Sequence, residues 1–277
     1  MPRIDVDISQ HQQTWDELVS RVRFAEDAGF GAAWVFDHFK VLYGPPEGPC
    51  FEAWTLLAGL SAVTARIRLG ALVTGVTYRH PSVLAAEAVT VDHISAGRLE
   101  LGLGAAWFER EHRELGIDFP PPGPRLGRLE EAVDVITGLM TGTNVSYQGR
   151  HYRLEGATYR PLPVQRPYPP LWIGGGGERR LLPLAARQAD VWHGFGSVAE
   201  LARKSKLLDR LAEEAGRDPA TIRRSTSLSL SEPWDEVRRD VEEKVAAGFS
   251  VLVASWPSEG RPRIEEFAAQ VLPGLRG

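Results

Sequence analysis

The 277-residue sequence is poor in sulfur, with two methionines and a single cysteine, Cys50. One cysteine excludes an internal disulfide framework and any zinc site made from cysteine alone. Such usage is typical of a reducing compartment, and we expect a cytoplasmic protein. Cys50 lies in a glycine- and proline-rich loop with no basic neighbour, so we do not expect a nucleophilic thiol there.

Long apolar runs and an excess of basic charge are also missing. No stretch approaches the roughly 20 apolar residues of a membrane-spanning helix, and the opening MPRIDVDISQHQQTW lacks the apolar core of a signal peptide. The formal net charge is −4, which gives no basic surface for nucleic acid. We therefore expect the partner to be a small-molecule substrate, and neither a membrane nor a nucleic acid.

The sequence does contain a strand–helix–strand pattern between residues 66 and 114. An apolar run at 67–73 has the length of a buried strand. Pro81 suits the first turn of a helix, and Gly97 suits its end. Leucine then alternates with glutamate and glycine at 99–104, as in a second strand. This unit builds both α/β barrels and doubly wound sheets.

The same alternation of strands and helices continues along the chain. Eight strands are predicted, at 4–8, 33–36, 67–73, 99–103, 171–174, 191–195, 226–230 and 249–255. They favour one α/β domain over 1–277, a (β/α)8 TIM barrel with an insertion at about 116–165 between the fourth and fifth strands. A doubly wound sheet stays open, because a count of strands does not prove closure. We expect the insertion to form a lid over the mouth.

Reactive groups in such barrels follow the C-terminal ends of the strands. Asp37 and His38 come directly after the second predicted strand. His38 is the main candidate for proton transfer, because imidazole changes charge near neutral pH and a neighbouring carboxylate can fix its tautomer. The alternative interpretation is that both residues tie a loop to the rim of the barrel.

Four glycines follow the fifth predicted strand: Gly174, Gly175, Gly176 and Gly177. Without side chains, they let the backbone approach a ligand. If Glu178 begins a helix, the free amides of its first turn favour a phosphate. The pattern is neither of the two common nucleotide-binding glycine motifs, so a flexible turn is the alternative interpretation.

A polar group surrounds the start of the helix predicted after strand four. Its acidic members Glu109 and Glu111 suit a helix N-terminus without any catalytic role. Glu109 and His112 are three residues apart and share a helix face, which makes metal ligation conceivable. No third ligand is apparent in the sequence, so no metal site is predicted.

Seven blocks, in order, carry a resemblance to a known family. They are AEDAGFGAAWVFDHF (25–39), RIRLGALVTGVTYRHP (66–81), DHISAGRLELGLGAAWFEREHRELGIDFPP (92–121), RLGRLEEAVDVI (125–136), YQGRHYRLEGA (147–157), PPLWIGGGGERR (169–180) and AARQADVW (185–192). With these blocks the chain resembles the bacterial luciferase-like monooxygenase superfamily, and within it the deazaflavin-dependent oxidoreductases.

The resemblance implies a closed barrel that binds 8-hydroxy-5-deazaflavin (coenzyme F-420), or alternatively FMN, at its C-terminal mouth. It implies a non-proline cis peptide at Leu72–Val73 behind the ring and a hydrogen bond from Thr74 to the ring edge. It places Ala105, Ala106 and Trp107 along the ring and substrate side, the four glycines at the cofactor phosphate, and His38 near the reactive carbon with Asp37 behind it. Relatives often dimerise, so a homodimer is possible.

Three features depart from the family pattern. The first strand is unlike the usual opening, Ala106 stands where a glycine is common, and His193 follows Trp192 where asparagine is more usual. The expected activity is hydride exchange between the deazaflavin and a small organic substrate. The alternatives are an FMN-dependent monooxygenase that uses oxygen, a deazaflavin-binding protein without turnover, and a metal-dependent hydrolase.

Overall fold

The computed structural model describes residues 1–276 and contains a closed barrel of eight parallel strands. The strands are β1 (Arg3–Asp7), β2 (Ala32–Val35), β3 (Arg68–Gly75), β4 (Leu99–Gly104), β5 (Val145–Gln148), β6 (Arg153–Ala157), β7 (Leu171–Gly174), β8 (Val191–Gly194), β9 (Arg223–Leu228) and β10 (Val251–Ser255). Around the barrel they run β1-β2-β3-β4-β7-β8-β9-β10, and β10 pairs with β1. The predicted TIM barrel is therefore confirmed, and the doubly wound sheet is excluded.

Helices surround the barrel and cover its outer face. They are α1 (Trp15–Ala28), α2 (Ala53–Ala62), α3 (Pro81–Ile94), α4 (Glu109–Leu115), α5 (Pro122–Thr141), α6 (Leu181–Gln188), α7 (Val198–Glu214), α8 (Trp234–Ala246), α9 (Arg261–Gln270) and α10 (Leu272–Arg276). Local signals fix several starts: Pro81 opens α3, and Ser197 and Glu200 form a capping box on α7. Across residues 1–276, no helix combines the length and apolarity that crossing a membrane requires.

Two predicted starts are shifted by three residues in the structure. The helix expected from Glu178 begins at Leu181, where the carbonyl of Gly177 accepts the amides of Leu181 and Leu182. Pro183 then falls in the first turn, where its missing amide leaves no helical hydrogen bond unmade. β9 begins at Arg223, three residues before the predicted strand.

The segment predicted as an insertion contains two kinds of structure. Its helix α5 packs against α3 and α6 in the outer ring and buries Leu129, Val133, Ile136 and Met140. The antiparallel hairpin of β5 and β6 lies on α5, where Glu131 accepts backbone amides of the hairpin turn. The start of α5 reaches the mouth, since Arg125 donates to the carbonyl of Ala105. A lid role for this segment stays a prediction.

The first strand reverses the usual orientation of polar and apolar residues. Ile4 and Val6 pack outward in the main core against the helices. The alternate residues are charged and include Arg3 and Asp5, which meet partners from other strands inside the barrel. Because side chains alternate along a strand, Asp7 also faces the interior, at the C-terminal end of β1.

An ionic cluster fills the N-terminal end of the barrel interior, and we call it the base cluster. Its members are Arg3, Asp5, Trp34, Arg68, Glu100 and Trp172. Arg3 donates to Asp5 at 2.7 Å and to Glu100 at 2.8 Å, and Arg68 also donates to Glu100. Burial alone would raise the pKa of Glu100, but the two guanidinium groups hold it below its ordinary value. This end of the barrel is thus closed by paired charges.

Candidate active site

A cavity of about 630 Å³ opens at the C-terminal end of the barrel. Nine of the predicted site residues line it: Asp37, His38, Leu72, Val73, Ala105, Ala106, Trp107, Gly174 and Gly175. Thr74, Gly176 and Gly177 are not on its wall. Among the described residues that line the cavity, none comes from 116–165. The structure thus brings the loops after β2, β3, β4 and β7 to one site.

The wall of the cavity behind β3 is shaped by Val73. The Leu72–Val73 peptide is cis, as expected, and the pairing of β3 with β4 shifts between Ala71 and Thr74. A Cβ atom on Gly104 would lie 2.5 Å from Val73 Cγ2, and one on Gly174 would lie 2.8 Å from Val73 Cγ1. The glycines of β4 and β7 therefore make room for the Val73 side chain. Part of the glycine signal at 174 has this packing cause.

Gly175, Gly176 and Gly177 form a backbone corner without side chains, which we call the glycine cradle. Gly175 has φ +126°, which disfavours other residues, and a Cβ there would lie 2.8 Å from Leu181 Cδ1. A Cβ on Gly176 would lie 2.7 Å from Lys204 Nζ. Because α6 begins only at Leu181, the expected helix N-terminus at Glu178 is wrong. The open backbone, and not the first turn of a helix, borders this corner.

Lys204 is a cation that the sequence did not indicate. It lies on α7, and its ammonium group makes no ion pair within 4.0 Å among residues 1–276. Neighbouring Arg203, in contrast, is paired with Glu178. No local pattern could have identified Lys204, because its approach to Gly176 depends on how α7 packs beside the glycine corner. The cradle therefore combines exposed backbone with a lysine ammonium that is near the carboxylates of Glu178 and Glu200 but makes no direct ion pair with them.

His38 pairs with Glu111 across the mouth. The His38 Nδ1 and Glu111 Oε1 atoms are 3.1 Å apart, and Glu111 is fully buried. Glu111 also accepts the hydroxyl of Tyr78 and the amides of Phe39 at 2.6 Å and Lys40 at 2.8 Å. Burial would raise the pKa of Glu111, but hydrogen bonds from His38 and Tyr78 outweigh it and hold that pKa below its ordinary value.

This pairing assigns the tautomer of His38. Because ionised Glu111 only accepts hydrogen bonds, Nδ1 of His38 carries the hydrogen. Nε2 then has a free lone pair, and no described residue donates to it. His38 also lines the cavity. The ring is therefore oriented to accept or return a proton at Nε2, with Glu111 available to balance a positive charge.

Asp37 has a different partner from the one expected. Arg79 donates to its two carboxylate oxygens at 2.7 and 3.0 Å, and the amide of Gly75 donates at 3.0 Å. Burial would lower the pKa of Arg79, but Asp37 outweighs this and raises it. The expectation that Asp37 serves His38 as its carboxylate is therefore corrected, because Arg79 and the Gly75 amide occupy the Asp37 carboxylate and His38 pairs with Glu111 instead. Asp37 joins the loops after β2 and β3.

We call this group, His38, Glu111, Tyr78, Asp37 and Arg79, the mouth cluster. From the sequence, Glu111 is expected only as an acid at the start of a helix, and no local pattern points to Tyr78 or Arg79. Glu111 lies 73 positions from His38, so only the folded barrel brings them together. The spacing of residues within one helix or strand therefore cannot predict the pairing of His38 with Glu111.

The hydrogen bond expected from Thr74 to the ring edge stays a prediction. Thr74 is fully buried, and its hydroxyl has no hydrogen-bond partner among the described residues.

His112, Cys50 and His193 are three further polar residues singled out from the sequence. Both nitrogens of His112 are engaged, with Thr77 at 2.7 Å and the carbonyl of Phe108 at 2.8 Å, which leaves none for a metal. Burial raises the pKa of the Cys50 thiol to about 12, so the thiolate is not accessible at neutral pH. Burial also lowers the pKa of His193 to about 3.

Comparison with known proteins gives a family and several relatives. The family model described as luciferase-like monooxygenase matches residues 1–271. An uncharacterised protein of Mycobacterium tuberculosis is 33% identical over 211 residues, 71% of this chain and 73% of that protein. The F420-dependent hydroxymycolic acid dehydrogenase of M. tuberculosis is 30% identical over 227 residues, 81% of this chain and 61% of that protein.

A further relative uses the other cofactor of the family. The FMNH2-dependent dimethylsulfone monooxygenase of Pseudomonas putida is 26% identical over 247 residues, 88% of this chain and 65% of that protein. Among solved structures, an F420-dependent secondary alcohol dehydrogenase in complex with an F420–acetone adduct superposes with a TM-score of 0.90 at 18% identity, over 100% of this chain and 99% of that one. At this identity the likeness establishes the fold alone.

Proposed function

The chain belongs to the luciferase-like monooxygenase family of oxidoreductases, and on that premise we propose that it exchanges a hydride between the deazaflavin coenzyme F420 and a small organic substrate. The observation that carries the proposal is one cavity whose wall includes both His38, with its Nε2 free of protein donors, and Gly174 and Gly175 at the edge of the glycine cradle. The named activity of the M. tuberculosis dehydrogenase, at 30% identity, supports the same cofactor.

The residues present fit a phosphorylated tricyclic cofactor. Val73 and the stretch 104–107 would hold the ring, since they form a largely apolar wall of the cavity. The backbone at 174–177 and the ammonium of Lys204 would hold a phosphate, because side chains are absent from that corner and the ammonium approaches Gly176 there. When bound, the deazaflavin supplies a ring carbon that accepts or donates a hydride.

The residues of the chain would then manage the substrate proton. With an alcohol, Nε2 of His38 would accept the hydroxyl proton as the hydride leaves the neighbouring carbon, and in reverse it would return a proton to the carbonyl oxygen. Glu111 would stabilise the resulting imidazolium through its 3.1 Å contact with Nδ1. Exposed Tyr43, Trp107 and Phe195 border the cavity and would exclude water from a bound substrate.

A second candidate function is oxygen-dependent oxidation with reduced FMN. It is favoured by the 26% identity to the P. putida monooxygenase over 88% of this chain. Deazaflavin does not readily form an oxygen adduct, so the two functions differ in their need for oxygen. A deazaflavin-binding protein without turnover is a third possibility, and it would exchange no hydride with any substrate.

The deciding experiment is an equilibrium titration of the purified protein with coenzyme F420 and, separately, with FMN and reduced FMN. We expect F420 to bind at least about tenfold more tightly than either flavin, which corresponds to about 1.4 kcal/mol. Hydride exchange is then assayed with and without oxygen. Tighter binding of the flavin, or turnover only with oxygen, would replace the proposal by the monooxygenase.

A further inference from the structure

The barrel interior above the base cluster is incompletely filled. TIM barrels normally pack layers of bulky side chains along their axis. Here the inward residues at the C-terminal ends of β4, β7, β9 and β10 are Gly104, Gly174, Ser227 and Ser255. A second cavity of about 110 Å³ lies in the resulting space, with Trp34 on its wall. The void extends from the mouth toward the base cluster.

The two cavities share a set of wall residues and form one site. Asp7, Ser227 and Ser255 line both of them, whereas His38 lines the outer cavity only. Asp7 and Ser255 are register partners on the neighbouring strands β1 and β10, and Ser227 on β9 is opposite Val253, two residues before Ser255. The three side chains form a polar arc on the wall that the two cavities share. We call this arc the inner subsite.

The polar atoms of the inner subsite are largely free of protein partners. One oxygen of Asp7 accepts the amide of Ser9 at 2.8 Å. Within residues 1–276, no donor reaches its second oxygen, and neither the Ser227 nor the Ser255 hydroxyl forms a hydrogen bond. Asp7 is half-buried and the two serines are exposed, so their polar atoms are accessible from the cavity. A ligand group that donates to Asp7 would give its second oxygen the hydrogen bond that the protein does not supply.

The surroundings select the kind of group that can bind. No lysine or arginine lines either cavity, and burial keeps His193 neutral by lowering its pKa. An anionic group would therefore meet only the Asp7 carboxylate, and an apolar group would leave that carboxylate without a donor. A hydroxyl can donate to Asp7 and accept from a serine at once, whereas an ammonium group only donates.

We propose that the inner subsite binds a second hydroxyl group of the substrate, so that the preferred substrates are small compounds with two neighbouring hydroxyl groups. One hydroxyl-bearing carbon reacts near His38, and the other hydroxyl donates to Asp7 and accepts from Ser227 or Ser255. This inference rests on the proposed function, because it names the substrate class of the same site. Asp7 acts here in recognition, and the reacting proton remains with His38.

Burial supports this assignment. It raises the pKa of Asp7 to about 6, against the opposing effects of the Ser9 amide and of Arg21. Arg21 itself is engaged by Glu17 and by backbone carbonyls on the outer side of the barrel. A ligand hydroxyl would supply the hydrogen bond that the protein does not.

The test measures binding of four matched probes by ligand-observed NMR titration, with and without saturating coenzyme F420. The probes are trans-cyclohexane-1,2-diol, 2-methoxycyclohexanol, cyclohexanol and trans-2-aminocyclohexanol. We expect the wild-type protein to bind the diol about tenfold or more tightly than cyclohexanol or the methyl ether, the range for a hydrogen bond to a charged group. Asp7→Ala should remove this preference, and Asp7→Asn, which keeps an acceptor, should retain part of it.

Control variants separate recognition from folding. Ser229→Ala changes a serine near the end of the same strand that lines neither cavity, so it should keep the diol preference, while Ser227→Ala should weaken it about threefold or more. If Asp7→Ala does not fold, the double variant Ser227→Ala with Ser255→Ala serves in its place. All variants are compared by their thermal unfolding and their affinity for coenzyme F420.

Three outcomes would overturn the inner subsite: equal affinity for the diol and its methyl ether, tighter binding of the amine than of the diol, or no binding of any probe. The test also distinguishes this inference from the proposed function. Coenzyme binding without a diol preference rejects the inner subsite alone. A diol preference that depends on Asp7, in a protein that binds no deazaflavin, rejects the proposed function alone.

Discussion

The two ends of the barrel interior bury similar numbers of charged side chains, but these charges have different roles. In the base cluster, Glu100 is held by two arginines and the indole of Trp172. In the mouth cluster, Glu111 is held by a histidine, a tyrosine and two backbone amides. The base faces packed tryptophans, whereas the mouth leaves His38 on the wall of a 630 Å³ cavity.

This difference indicates how the same arrangement, a buried carboxylate surrounded by donors, serves stability at one end and chemistry at the other. A buried carboxylate surrounded by donors stays ionised and holds its neighbours in place. At the base the neighbours are guanidinium groups that cannot lose their protons, so the cluster only joins strands. At the mouth the neighbour is an imidazole, which can exchange a proton while the carboxylate holds it still.

The largest expected effect comes from breaking the base cluster. Glu100→Ala leaves the guanidinium groups of Arg3 and Arg68 without their shared partner. We expect the free energy of unfolding to fall by about 3–5 kcal/mol, the range for breaking a buried ion pair. Urea unfolding measures the change. Glu155→Gln, which removes an exposed ion pair with Arg153, is the matched control, and an equal effect of both changes would contradict the base cluster's role.

The second prediction concerns the proton carrier at the mouth. His38→Ala should lower turnover by about 100-fold or more, because general acid–base catalysis contributes at least that much. The affinity for coenzyme F420 should change little, since His38 is not part of the glycine cradle. Steady-state rates and an equilibrium titration on the same preparation give both numbers. Unchanged turnover would remove His38 from the proposed mechanism.

The third prediction uses pH. His193 stays neutral in the folded protein down to about pH 3, whereas in the unfolded chain it takes up a proton near pH 6.5. Below pH 6.5 the unfolded state binds more protons, so the stability that depends on neutral His193 is lost as the pH falls.

Compared with a His193→Asn variant, the wild-type protein should therefore lose about 2 kcal/mol of unfolding free energy between pH 7 and pH 5. Urea unfolding of both proteins at the two pH values isolates this difference, because all other titrating groups are shared. A stability gap that is the same at both pH values would show that the His193 ring is protonated in the folded barrel.

The fourth prediction tests the orientation of His38. Glu111→Gln keeps the shape of the side chain but adds a donor beside Nδ1, so the two ring tautomers should become mixed. We expect turnover to fall by about tenfold, roughly 1.4 kcal/mol of transition-state stabilisation. The 15N shifts of the His38 ring distinguish this from a general loss of packing. A single unchanged tautomer in the variant would argue against the positioning role of Glu111.

The smallest expected effect is at the phosphate corner. Lys204→Met should weaken binding of coenzyme F420 by about fivefold to tenfold, since a partly exposed charge contributes roughly 1 kcal/mol. Binding of a deazaflavin riboside that lacks the phosphate should not change. Lys206→Met, two positions along α7, is the control. Equal weakening of both ligands would assign Lys204 a packing role instead.

Sequence patterns predicted the barrel because each element carries its own signal. Ser197 and Glu200 cap the start of α7 from three residues apart, and Pro81 opens α3 through its own backbone. Each of these signals acts within a few residues of the helix start that it determines. The cis peptide at Leu72–Val73 was placed by family resemblance alone, and the structure supplies its local setting: glycines at 104 and 174 that accommodate Val73.

The site was predictable only in part, because its pairings are long-range. Adjacency suggested Asp37 as the partner of His38, but Arg79 occupies the Asp37 carboxylate, and Glu111 reaches His38 from a helix 73 residues away. The sequence shows that acidic and apolar residues alternate along β1. It does not show which face of the strand carries the acids, because both faces of a barrel strand are buried. Only the closed sheet shows that the charges lie in the barrel interior.

The pairing of β1 with both β2 and β10 has a consequence for synthesis of the chain. The first strand emerges from the ribosome long before residues 251–255 exist, and until then one of its edges has no partner. Its inward row of Arg3, Asp5 and Asp7 is compatible with water during that interval, and such charges discourage pairing with strands of other chains. The charged residues that line the interior of the finished barrel can thus protect the incomplete barrel from aggregation during synthesis.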